Sequence, residues 1–235
     1  MSTIKVDTIA TRSGSGSVTV SNNIALATEG QIDINSTNLL VRSTGNKSGL
    51  RFDTSAYTPF KNGSAADNTV DLGFASGRFK DLFLGGGIYL GGTTAVNHLD
   101  DYEEGTWTPQ VKDIGGNQAS GYAAQAGYYI KVGQFVMAQF RFTLSNKGSI
   151  TGNYTFIANL PINNAGSDGG SGVINRYTNL ASAVSSLGIE LGGSTPGVGW
   201  ITQMSGTSGT SDGYLGTSQI QNNTFMQGTM FYRTG

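Results

Sequence analysis

Tyr128–Leu144 reads YYIKVGQFVMAQFRFTL. After Gly133-Gln134-Phe135, residues Val136, Ala138, Phe140, Phe142 and Leu144 alternate with Met137, Gln139, Arg141 and Thr143. Successive side chains of a strand point to opposite faces, so a period of two predicts a half-buried antiparallel strand, paired in a hairpin with Tyr128–Val132. Asn146-Lys147-Gly148 is the next turn. Tyr154, Phe156, Ala158 and Leu160 continue the period until Pro161, which cannot donate to a ladder. Val173–Tyr177, Val184–Leu191, Val198–Met204 and Thr224–Tyr232 supply further strands, interrupted by polar loops at 163–172 and 205–213. Some seven or eight strands over about 125 residues predict a C-terminal β-sandwich of jelly-roll type.

Upstream the pattern changes. Residues 2–10, Val18–Val20, Ile24–Ala27, Gln31–Ile34, Leu39–Val41 and Leu50–Phe52 are short apolar runs between Gly, Asn and Ser turns. None carries enough apolar area to bury a face within one chain, because ordering the backbone costs more than a few small contacts return. Stacking on copies of itself, as in an intertwined trimeric shaft, or docking on another protein would supply the missing surface. An ordinary small sandwich with short strands is the alternative. The one helical signal is Ala75–Leu84, where Phe79, Leu82 and Phe83 share a face and Gly85-Gly86-Gly87 stops the run. Ile88-Tyr89-Leu90 reads as a short strand.

Between the two patterns lies His98–Pro109, HLDDYEEGTWTP, with four acids in five residues. It reads as a hinge, dividing residues 1–96 from residues 97–235.

The composition fits an all-β chain. Charged residues make up 12 % of the 235, Gly accounts for 36, and aromatics reach 10 %. A disordered chain is usually highly charged and poor in aromatics, so a core is expected here. The absence of cysteine excludes disulfides, thiol catalysis and Cys-based metal sites. A net charge of −1 without a basic block argues against nucleic acid as partner. No run approaches 18 apolar residues and the N-terminus lacks the apolar core of a secretory signal, so membrane insertion and secretion by signal peptide are not expected.

Four segments taken in order resemble a set common in phage tail-fibre proteins. They are LRFD (50–53), ADNTVDLG (66–73), RFKDLFLGGGIYLGG (78–92) and NHLDDYEEGTWTP (97–109). STIKVDTI (2–9) with GSVTVSNN (16–23) is similar to the N-termini of such fibres. The resemblance covers roughly residues 2–160, and the chain from Asn163 onward matches weakly. It implies a homotrimeric component of the virion tail. The N-terminus would attach to tail or baseplate proteins, and the C-terminal β-domain would recognise a host surface glycan or protein.

Each candidate for chemistry has a structural counterpart. Asp100, Asp101, Glu103 and Glu104 suggest the paired carboxylates of a glycosidase, hence a polysaccharide depolymerase tail spike. Adjacent residues of an extended strand face opposite ways, however, so a structural acidic hinge is expected and no catalytic residue is assigned. His98 is the only histidine; in a trimer three copies of it or of Asp100 could meet on the axis around a cation, but no spacing motif supports this and no cofactor is expected. No G-x-S-x-G elbow or phosphate-binding loop occurs.

For receptor binding the candidates are Tyr122, Trp200, Tyr214 and Asp212, aromatic or acidic groups near polar loops of the kind that stack on sugar rings and take up their hydroxyls. Trp200, between Gly199 and Ile201, reads as buried, and Tyr214, in a Gly/Ser/Asp loop, as exposed. Lys5, Asp7 and Arg12 are the candidates for virion attachment, by position alone. A non-enzymatic tail fibre is the expectation; a depolymerase spike and a purely structural baseplate or adaptor protein are the alternatives.

Overall fold

A computed structural model describes residues 39–42, 48–52, 54–62, 64–166, 169–192, 195–204 and 213–234. The strands expected at 2–10, 18–20, 24–27 and 31–34 lie outside the described residues, as do Lys5, Asp7, Arg12 and Asp212. The chain divides into two compact units, Met1–Leu82 and Phe83–Gly235.

In the first unit β1 (Leu39–Arg42), β2 (Gly49–Phe52), β3 (Tyr57–Lys61) and β4 (Ser64–Ala65) form an antiparallel meander in that order. Its buried apolar side chains among the described residues are Phe60 and Ala66. Phe52 meets Tyr57 edge-on at 4.9 Å, and the Arg51 guanidinium lies 5.8 Å from the Phe60 ring centre.

The helix expected at Ala75–Leu84 does not form. Phe74 and Gly77 exchange backbone hydrogen bonds of 3.0 and 2.9 Å, closing a tight turn instead. Gly73 enters it at φ +85°, and a Cβ on Gly77 would lie 2.3 Å from the Phe74 ring. Beyond the turn Phe79, Leu82 and Phe83 are exposed, so the apolar face that would have stabilised a short helix is not buried among the described residues.

The second unit opens with β5 (Ile88–Tyr89) paired to β6 (His98–Leu99). One large antiparallel sheet follows, made of β7 (Tyr102–Trp107), β8 (Gln110–Asp113), β9 (Gly121–Val132), β10 (Phe135–Asn146), β11 (Thr155–Ala158), β12 (Gly170–Leu180), β13 (Ser186–Leu191), β14 (Val198–Met204), β15 (Gly213–Tyr214) and β16 (Ile220–Arg233). Its order is β7-β9-β10-β16-β12-β13-β14-β11-β8, with β15 added beside β14. The alternation in Val136–Leu144 is realised as read: Val136, Ala138, Phe140, Phe142 and Leu144 are all buried. Gly133 and Gln134 turn the hairpin, Gly133 at φ +56°, and Phe135 already pairs with Val132.

The sheet is curled. Strands β7 and β8 are at opposite ends of the order, yet only Thr108 and Pro109 separate them in sequence. Three residues of extended chain reach about 10 Å, so the two edges must come together. The link is held from both sides: Gln125 Nε2 donates to the Pro109 carbonyl (2.6 Å) and Asn159 Nδ2 to that of Thr108 (2.8 Å). Inside the curl lies one apolar core including Phe142, Leu144, Ile157, Ile201, Met226 and Met230.

Candidate functional site

The outer face of the curl bears the side chains that alternate with the core. On β10 these are Phe135, Met137, Gln139, Arg141 and Thr143, and on β16 they are Phe225, Gln227, Thr229, Phe231 and Arg233. Ladder register sets them in rows. Glu104, Ile130, Met137, Phe231 and Ser171 face one another in turn across β7, β9, β10, β16 and β12. One row along, Thr106, Tyr128, Gln139, Thr229 and Val173 do the same, followed by Ala126, Arg141, Gln227 and Arg176. The first row is apolar at its centre, and Phe231 also stacks on Phe135 at 6.2 Å.

The next two rows form a shallow groove of about 330 Å³. Tyr128, Gln139, Arg141, Asn175, Gln227 and Thr229 bring polar groups to it. Asn175 enters at a bulge, where the register of β12 against β16 shifts between Ile174 and Arg176. Ala126, which faces Arg141 across β9 and β10, is too small to fill the space. The sequence reading of β10 already set Gln139 and Arg141 on the face opposite the core, but their partners on β12 and β16 depend on pairings between segments far apart in sequence.

A second region lies at the other end of the strand order. Phe156 and Trp200 are directly opposite on β11 and β14, their rings 5.0 Å apart and edge-on. Trp200 reaches Tyr214 at 5.4 Å, and Tyr214 reaches Tyr154 at the same distance. Phe156, Ala158 and Val198 form a small buried cluster beneath Trp200, separate from the main core. Trp200 and Tyr214 are both half-buried, so the contrast expected between them is not seen. The Tyr214 hydroxyl donates to Glu190 Oε2 at 3.2 Å; burial and this carboxylate raise its pKa above the ordinary value.

Tyr122 stands apart from that pair. It is half-buried against the main core, edge-on to Phe142 at 6.3 Å, and its hydroxyl accepts the Val111 amide hydrogen at 2.8 Å. The structure therefore brings together two of the four receptor candidates, Trp200 and Tyr214.

The acids of His98–Pro109 each have a separate partner. His98 Nδ1 lies 3.3 Å from Asp100 Oδ2, and the imidazole stacks on Tyr89 at 4.4 Å. Asp101 pairs with Lys131, Glu103 accepts from the Tyr129 hydroxyl, and Glu104 accepts from the Tyr102 hydroxyl at 2.7 Å. Glu103 and Glu104 alternate across β7. Among the described residues no three His, Asp or Glu side chains converge on one point.

A carboxylate that sequence reading passed over is the most embedded one among the described residues. Asp113 is fully buried at the end of β8 and accepts hydrogen bonds from the amides of Asn117 (2.9 Å), Thr151 (2.9 Å) and Gly152 (2.8 Å), and from Asn117 Nδ2. Burial pushes its pKa up, but these donors together outweigh it and hold the carboxyl at about 2. Its role is to tie two loops to β8. The Asp-Ile-Gly-Gly-Asn run from Asp113 was the available signal for such a turn.

Comparison of the chain with protein-family models, with curated proteins and with solved structures gave no match.

Proposed function

We propose that this chain is the subunit of a homotrimeric phage tail fibre. Its N-terminal part attaches to tail or baseplate proteins and builds a short-stranded trimeric shaft. Its C-terminal domain, a curled antiparallel sheet of jelly-roll type, binds the host surface without enzymatic turnover. In the assembled state it belongs to the virion tail.

One observation carries the reading. Every Leu, Ile, Phe, Tyr and Val from Leu72 to Val96 is exposed in the single chain, with Phe83 at 91 % and Val96 at 92 %. Scattered surface apolar residues are ordinary, but an unbroken run of this kind marks a surface meant to be covered. The run coincides with the RFKDLFLGGGIYLGG segment that resembles tail fibres, and three copies wound together would cover it. The separate pairing of each hinge acid favours a structural hinge over a hydrolytic carboxylate pair.

The experiment is in two parts, on the full chain. Light scattering at micromolar concentration should return about three times the chain mass, and a monomer overturns the shaft. The purified chain, added in excess, should compete with the phage for adsorption to host cells. Lack of competition by a trimer favours a purely structural baseplate protein. Release of reducing sugar from host polysaccharide, lost in Asp100→Ala or Asp101→Ala, would identify a depolymerase instead.

A further inference from the structure

We infer that the groove between β9, β10, β12 and β16 is a binding site for a carboxylate-bearing sugar, with Arg141 as the group that selects the negative charge. This rests on the host-surface reading above and deepens it by naming the ligand chemistry.

Four observations support it together. The groove holds about 330 Å³, the lower end of the size of small-molecule sites and enough for a pyranose ring. Its polar groups are those that exchange hydrogen bonds with hydroxyls: the amides of Gln139, Asn175 and Gln227 donate and accept, and Thr229 adds a hydroxyl. Tyr128, 61 % exposed, stands on the strand beside them as a flat apolar face for the C–H side of a sugar. Finally, no acid lines the groove, and Arg141 has no hydrogen-bond or ion-pair partner among the described residues.

The last point sets the ligand class. The neighbouring Arg176 lies 5.3 Å from the Phe225 ring centre, and Lys131 is paired with Asp101. Arg141 instead presents a full set of donors at the groove wall, opposite Ala126 on one side and Gln227 on the other. A guanidinium in this position matches a carboxylate in a bidentate pair, which a neutral sugar cannot offer. The amides around it would read the hydroxyls next to that carboxylate. The site is formed by three long strands and a bulge of the curled sheet, so its spacing is set by ladder register rather than by a mobile loop.

The test uses the full-length chain with galacturonic acid and galactose, a pair differing at the carboxylate, followed by ligand-observed NMR titration. Galacturonic acid should bind about tenfold more tightly than galactose at low salt, and the advantage should shrink as salt screens the charge. Arg141→Gln, a change at an exposed position, should keep the melting temperature and remove that tenfold preference. Lys80→Gln, at a solvent-exposed cation outside the groove, should keep it. Equal affinity for the two sugars, absence of binding to both, or an unchanged preference in Arg141→Gln overturns the inference. So does inorganic phosphate displacing the acid sugar at equal concentration, since the site would then be one for anions in general. A chain that trimerises and blocks adsorption but fails this test loses the groove alone; one that does neither loses the tail-fibre reading.

Discussion

The Tyr122 hydroxyl, on β9, accepts the amide hydrogen of Val111, on β8, at 2.8 Å. β8 is one edge of the curled sheet, β9 is the neighbour of the other edge strand, and the two do not pair with each other. Val111 directs its carbonyl to the Ala119 amide at 3.0 Å, so both backbone groups on that side of β8 are satisfied without a neighbouring strand. An edge strand with open donors invites pairing with another chain, and Tyr122 closes one of those donors inside the fold. Tyr122→Phe should keep the ring packing against Phe142 and leave the Val111 amide unpaired. The expected loss is about 1–3 kcal/mol in urea unfolding. Unfolding at the wild-type midpoint would mean that the hydroxyl is free for another role, such as the receptor contact first expected of it.

Trp107 lies over Gly127, its direct partner across β7 and β9. A Cβ on Gly127 would sit 2.4 Å from the indole nitrogen. That nitrogen donates to the Gln139 carbonyl at 3.0 Å, and the ring is edge-on to Phe140. Gly127→Ala must therefore displace the indole, weakening a hydrogen bond and a core contact together, at a cost of about 2–4 kcal/mol. Thermal unfolding followed by tryptophan fluorescence reads both effects. An unchanged melting temperature with an unchanged emission maximum would show that the indole does not rest on the glycine.

Asp113 makes stability depend on acid. Its folded pKa of about 2 is below the unfolded value, so its contribution is fully present above pH 4 or so and is lost as the pH falls through about 2. Asp113→Asn removes the charge at all pH values. The variant should be less stable than wild type at pH 7 by about 1–3 kcal/mol, with the gap closing towards pH 2. A gap that stays constant from pH 7 to 2 would place the acid sensitivity elsewhere.

The exposed run from Leu72 to Val96 can be tested without touching the curled sheet. In the trimer reading, Phe79→Ser with Leu82→Ser removes two of the exposed side chains of that run. The double variant should shift the light-scattering mass from trimer towards monomer at micromolar concentration. The far-ultraviolet signal of the sheet should persist, because neither residue belongs to its core. A trimer as tight as wild type would place the contacts between copies outside this run.

How much was legible beforehand depends on the distance over which each feature is decided. The Val136–Leu144 alternation was readable because side-chain direction in a strand repeats every two residues, whatever the strand pairs with. The two-residue turn at Gly133 was nearly so, although Phe135 proved to be in the ladder and not in the turn. Ala75–Leu84 failed as a helix because its apolar spacing needs a surface to pack on, and the described residues bury none of Phe79, Leu82 and Phe83. Trp200 and Tyr214 were each picked out by type, but that their rings meet at 5.4 Å follows from β15 adding itself beside β14.

What the sequence determined by itself is therefore local: an all-β chain, the inward and outward sets of its long strands, the change of pattern near His98–Pro109 and a run of apolar residues with too little around them. Tertiary structure alone decided that β7 and β8, adjacent in the chain, are the two edges of one sheet, that Tyr122 latches the seam, and that Arg141 shares a groove with Asn175 and Gln227. The physical reason is register. Each of these relations depends on which residue faces which across strands separated by tens of residues. That choice is made by the fit of the whole core, which no single segment carries.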